Sequence, residues 1–164
     1  MNRKPILALA LCLLFASPAL QAEKPDDTRA LKGIETGKVI WDVTVGNPGK
    51  LSMLLDVIDE TYNDLVRQGV TPDMVFTFHG PSLKLISNDT DDIPLEEEAD
   101  YVNVVGKLKD MLEKPGVRME SCSIAARLLG VDTSSILAGI EPVGNTFVSQ
   151  IGYQAKGYAY IPVN

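Results

Sequence analysis

Five short runs rich in β-branched and aromatic residues are separated by stretches of helical spacing. That alternation limits the possible folds of this chain more than any other feature. The runs cover residues 38–45, 73–78, 117–121, 140–143 and 158–163. A strand, a helix and a further strand make a crossover, and crossovers join parallel strands. The pattern therefore predicts an α/β domain with helices on both faces of a parallel sheet. After the first run, Asn47 is placed to cap a helix and Pro48 to open it. Leu51, Leu54, Leu55, Ile58, Tyr62, Leu65 and Val66 then keep close to helical spacing, with Asp56, Glu60, Asp64 and Arg67 opposite, up to Gly69. A second long helix is expected over residues 95–114, with Tyr101, Val104, Val105, Leu108 and Leu112 on one face and Pro115-Gly116 as its stop. Residues 82–87 read as a brief apolar piece. Shorter helices follow over 123–129 and 146–155, the last with Phe147, Val148 and Ile151 inward. Asp132 or Thr133 caps a further short helix through Leu137, and Pro162 suits an edge strand.

The first residues stand apart from this pattern. Arg3 and Lys4 precede an apolar run over 6–15, and small or polar residues lead from there to Ala22. This is the order of a secretory signal peptide, residues 1–22, with cleavage expected after Ala22 and Ala19 as the alternative. The run is too short for a comfortable membrane span. Cys12 follows Leu11, which argues against a lipoprotein cysteine. The polar residues 23–37 are expected to form a flexible lead-in to one domain over 38–164. The expected location is the periplasm, with no membrane attachment after cleavage. Of 15 Lys and Arg, Arg3 and Lys4 leave with the leader, so 13 bases face 22 acids and the net charge is −9. Such a balance disfavours nucleic acid and anionic membrane surfaces.

The mature chain keeps one cysteine, Cys122, and one histidine, His79. A single thiol cannot close an internal disulfide, so it is buried, paired between chains, or free and reactive. In open parallel sheets, chemistry gathers beyond the carboxyl ends of strands. Residues 46–49, 79–82, Cys122 with Ser123, and Gly144-Asn145 all fall there. Cys122 lies where a strand runs into a helix that Gly130 closes, so its sulfur faces free N–H groups, a setting that favours the thiolate. Cys122 is the candidate catalytic residue, with His79, Ser123 and Asn145 as accessory candidates at strand ends. The structural alternatives are a small buried residue at position 122 and a backbone-bonded histidine at position 79. One His and one Cys do not make a metal site. The Gly46-Asn-Pro-Gly49 turn lacks the spacing of a phosphate or dinucleotide loop, so no cofactor is expected. Ser82 and Ser123 lack the partners of a serine hydrolase. Residues 89–98 lack the alternating ligands of a calcium loop. Tyr153, Tyr158 and Tyr160 read as core, edge or interface packing.

The segment Cys122-Ser-Ile-Ala125-Ala126-Arg-Leu-Leu-Gly130-Val131 resembles the Cys-x-x-Ala-Ala-x-x-x-Gly-Val segment of DsrE-type subunits in the DsrE/DsrF sulfur-relay family. The tail from Gln154 through Gly157, Tyr158, Tyr160 and Ile161 to Pro162 resembles the ending of stand-alone members. The order of elements agrees over residues 38–162. The resemblance implies a three-layer α/β/α domain with a five-stranded parallel sheet, assembled into trimers or hexamers. It also implies that Cys122 accepts sulfur as a persulfide and exchanges it with a donor or acceptor protein. Relay subunits of the family work in the cytoplasm, whereas this chain reads as exported. The second functional reading is a non-catalytic oligomeric module that keeps the fold and binds a small ligand or partner in its strand-end cleft.

Overall fold

The computed structural model describes residues 24–164; the leader read over residues 1–22 lies outside the described residues. Its strands are β1 (Thr36–Val43), β2 (Thr71–Phe78), β3 (Val117–Cys122), β4 (Ile140–Val143) and β5 (Ala159–Val163). They form one five-stranded sheet in the order β4-β3-β2-β1-β5, parallel throughout. The helices are α1 (Thr28–Leu31), α2 (Pro48–Arg67), α3 (Glu98–Leu112), α4 (Ser123–Leu129) and α5 (Thr146–Ala155). From β1 to β4 the chain steps across the sheet in one direction, then α5 carries it back past β1 to β5. Right-handed crossovers therefore put α2 and α3 on one face and α5 on the other.

The two faces of the sheet differ in chemistry. Val39, Trp41 and Val43 of β1, Met74, Phe76 and Phe78 of β2 and Met119 of β3 form the main core with Leu51, Leu55 and Ile58 of α2 and Val104 and Leu108 of α3. Strand residues alternate between faces, so the opposite face carries Asp42, Thr77 and Glu120. These three are register partners in a row across β1, β2 and β3. The helix over that row, α5, turns Thr146 and Gln150 inward and leaves Phe147, Val148 and Ile151 57–68% exposed. The expectation that those three point inward is thus corrected. A polar row on the sheet selects the polar side of the helix, since buried polar groups need partners.

Other boundaries moved slightly. The expected second long helix is a 3-10 turn, Leu95–Glu97, leading into α3. The piece after Asp132 is a 3-10 turn, Thr133–Ser135, capped by the Asp132 side chain on the Ser134 N–H. Val66, expected on the inward stripe of α2, is exposed. Within the lead-in, the short α1 lies beside contacts to the end of α2: Gln68 Nε2 donates to Asp27 Oδ2 at 3.1 Å, and Lys24 pairs with Asp64 at 2.7 Å.

Candidate functional site

The register of β3 and β4 builds the site. Cys122 ends β3 and pairs with Val143, and only Gly144 and Asn145 separate Val143 from the start of α5. Cys122 is also the N-cap of α4, with extended backbone geometry. Its sulfur therefore sits between the beginnings of two helices. The residue is 5% exposed. Burial pushes the thiol up, but the N–H groups of Thr146, Ala125 and Ile124 and the Thr146 hydroxyl outweigh it and hold the thiol below its ordinary value. Thr146 is fully buried, and its Oγ1 makes no regular hydrogen bond among the described residues, so the sulfur is the group left for it to serve.

His79 follows β2 directly and stands at the N-cap position of the 3-10 turn Gly80–Ile86, with its ring free of any capping bond. Its N–H donates to the Val43 carbonyl at 3.2 Å, which continues the β1–β2 ladder by one residue. Its Nε2 lies 2.8 Å from Asp42 Oδ1, and its ring meets Phe147 edge-on at 5.1 Å between centroids. The hydrogen bond to Asp42 raises the imidazole pKa; burial opposes, and the charges of Asp42 and the Cys122 thiolate add to the rise. Asp42 is itself 6% exposed. Burial would raise its carboxyl, but donors from His79, Tyr160 and Gln150 hold it below the usual carboxylate range. Gln150 Nε2 and the Tyr160 hydroxyl each donate to it at 2.5 Å, and Thr77 Oγ1 at 3.3 Å. The bond to Asp42 also pushes the Tyr160 hydroxyl up to about 12.

Cys122, His79 and Asn145 line one cavity of about 480 Å³ together with Gly80, Ile124, Ala125, Leu128, Leu129 and Phe147. The sulfur is thus buried yet borders an opening. Of the sequence candidates, Cys122, His79 and Asn145 come together here. Ser123 is half-buried as the first residue of α4 and does not line the cavity. Asn145 acts as a cap, its Oδ1 accepting from the Phe147 N–H at 2.9 Å. Residues 46–49 serve the scaffold. Asn47 caps α2 by accepting from the Lys50 N–H, and a Cβ at Gly46 would meet Pro81 at 2.6 Å. Ser82 donates to the Val43 and His79 carbonyls. The three tyrosines each serve a carboxylate: Tyr153 bonds Glu120, Tyr158 bonds Asp73 and Tyr160 bonds Asp42.

Sequence reasoning missed Asp42, Thr146, Gln150 and Tyr160. One signal was present. Asp42 is a lone acid inside the apolar run Val39-Ile40-Trp41-Asp42-Val43, and a buried acid needs partners. Among the described residues no group of three His, Cys, Asp or Glu is placed to hold a metal ion, and no helix is long and apolar enough to cross a membrane.

Residues 40–163 match the DsrE/DsrF-like family. An uncharacterized protein of Aquifex aeolicus (strain VF5) is 26% identical over 125 residues, covering 76% of this chain and 55% of that protein. The chain therefore spans about half the length of the curated relative that it matches. Among solved structures, the protein of unknown function MTH1491 from Methanobacterium thermoautotrophicum superposes with a TM-score of 0.61 at 17% identity, over 77% of this chain and 98% of that one. At that identity the likeness concerns the fold alone.

Proposed function

This chain belongs to the DsrE/DsrF-like family, and from that premise we propose that it carries sulfur as a persulfide on Cys122. The observation that carries the reading is the convergence of N–H groups from α4 and α5 on one sulfur atom bordering a cavity. Those donors favour the thiolate before transfer and the anionic persulfide after it. In loading, the Cys122 thiolate attacks the outer sulfur of a donor persulfide, R–S–SH. The donor S–S bond breaks, Cys122–S–SH forms and R–S⁻ leaves, with no net oxidation. The His79 imidazolium, held by Asp42, supplies a proton to that leaving thiolate. Unloading onto an acceptor thiolate reverses the exchange.

Residues 1–22 act in this reading as a leader that delivers the protein to the periplasm. The mature chain works there as a homo-oligomer, and the outward apolar side of α5 supports the assembly.

The test is intact mass after treatment of the purified protein with polysulfide. A gain in steps of one sulfur atom, absent in Cys122→Ser, is expected. An unchanged mass would instead favour a binding module that keeps the fold without the chemistry. Sequencing the N-terminus of the exported protein checks the leader, with Glu23 as the expected first residue.

A further inference from the structure

The cavity over Cys122 has a composition that bears on which sulfur compounds can reach it. Its walls are Ile124, Ala125, Leu128 and Leu129 from α4 and Phe147 from α5; among the described residues no Lys or Arg lines it. An adjoining cleft shares Leu129 and is bordered by Asp89, Asp91 and Asp92, with the nearby Lys84 committed to Asp92 at 2.5 Å. An anion approaching by this route passes apolar walls and acidic neighbours, and sheds hydration along them before it can reach His79 at the floor. An uncharged apolar molecule gains by the same desolvation. The volume, about 480 Å³, lies in the range of small-molecule sites, roughly 300–1,000 Å³. The floor is polar only at the reacting point. Cys122, His79 and Asn145 line it there, and the fully buried Thr146 hydroxyl, with no other partner among the described residues, stands beside the sulfur.

Resting on the persulfide reading, we infer that the small-molecule sulfur source for this site is an uncharged apolar sulfane. Such a compound is a chain of zero-valent sulfur closed into a ring or capped by hydrocarbon, rather than thiosulfate or a peptide persulfide. With a dialkyl trisulfide, R–S–S–S–R, the Cys122 thiolate attacks the central sulfur. One S–S bond breaks, Cys122–S–S–S–R forms with the zero-valent sulfur retained, and R–S⁻ leaves with the electron pair. With ring sulfur, one S–S bond opens and the whole chain stays on Cys122 with its charge at the far end. Neither step needs an added oxidant or reductant. Burial of the neutral ends against Leu128, Leu129 and Phe147 is the discriminating interaction.

Two trisulfides with the same reacting core separate charge from chemistry: dipropyl trisulfide and glutathione trisulfide. The rate of Cys122 modification is read by intact mass for each, and each rate is divided by that for N-acetylcysteine. The normalised preference for dipropyl trisulfide is expected to reach about tenfold or more. Leu128 is 75% exposed, so Leu128→Arg leaves the fold intact; it is expected to shift the preference toward glutathione trisulfide. Colloidal sulfur forms a second arm, and reaction with it together with the elevated ratio for dipropyl trisulfide supports the assignment. Equal normalised rates, or a preference for the charged reagent, overturn it while leaving the persulfide reading intact. A Cys122 that takes sulfur from none of these reagents, nor from inorganic polysulfide, overturns both.

Discussion

At the scale of single residues, the site rests on two charges that support one another. The Cys122 sulfur is served by backbone N–H groups that no side-chain substitution removes, and by one hydroxyl that can be removed, that of Thr146. Thr146→Val keeps the shape and deletes the donor. A hydrogen bond to an anion contributes roughly 1.5–3 kcal/mol, less for sulfur, so alkylation of Cys122 near neutral pH is expected to slow by roughly three- to tenfold. Rates measured against pH should show the midpoint moved upward; an unmoved midpoint would assign the thiolate to the backbone alone. The His79–Asp42 pair carries its own pH signature. His79 has a raised pKa, so its stabilisation is complete below the ordinary imidazole range and fades as pH rises through the folded value. Asp42 has a lowered pKa, so its share is present above the ordinary carboxylate range and fades on acidification through the folded value. The pair therefore stabilises most between those limits. In Asp42→Asn the His79 titration, followed by NMR, is expected to fall toward its ordinary value. The melting-temperature gap to the parent protein should be widest between the ordinary carboxylate and imidazole ranges and should shrink as the pH rises above the latter.

At the scale of elements, α5 is where sequence and structure part. Its limits, residues 146–155, were legible because Asn145 caps it and Gly157, at φ 85°, ends the following turn. The bounds of α4 and β4 were legible for the same kind of reason, with Gly130 in the left-handed region closing α4. Which side of α5 faces inward was not legible. That depends on the row Asp42, Thr77 and Glu120, assembled from three strands far apart in the chain; Gln150 meets Asp42 across 108 positions. Hydrophobic periodicity reports that a helix has two sides and not what the opposing surface is made of. The inverted packing has a measurable consequence. Gln150→Leu removes donors from buried Asp42 and Thr77 and is expected to cost about 1–3 kcal/mol. Val148→Ser, on the exposed apolar side, should stay within about 0.5 kcal/mol. Urea unfolding of the two variants, followed at a concentration where the protein is monomeric, ranks them, and the opposite order would mean that the apolar side is buried within the monomer. A second element depends on backbone alone. Gly116 immediately precedes β3 at φ 80°, and a Cβ there would collide with the Pro72 carbonyl. Gly116→Ala is therefore expected to destabilise by about 1–3 kcal/mol in the same measurement.

At the scale of the whole molecule, the outward side of α5 bears on how copies would meet. Val148 and Ile151 stand 65% and 68% exposed beside Phe147, and Ile124 and Leu128 of α4 continue the apolar area around the cavity. The sheet edges offer a poorer route to assembly. β4 and β5 are the edge strands and carry Pro142 and Pro162, and a proline lacks the N–H that an added strand would need. Association of the homo-oligomer proposed above would then run through the helical side. Each mature copy would bring a net charge of −9 by sequence, so like-charge repulsion opposes the contact and burial of apolar area drives it. The two terms respond to salt in a way that tests the arrangement. Screening shortens the repulsion, with a Debye length of about 10 Å at 0.1 M and about 3 Å at 1 M, while apolar burial is retained. Light scattering over that range should show association strengthening with added salt, where an interface held by ion pairs would weaken. The double substitution Val148→Glu with Ile151→Glu is expected to give a monomer at every salt concentration with an unchanged far-UV circular dichroism spectrum. An assembly that persists in the double variant would place the contact elsewhere on the molecule.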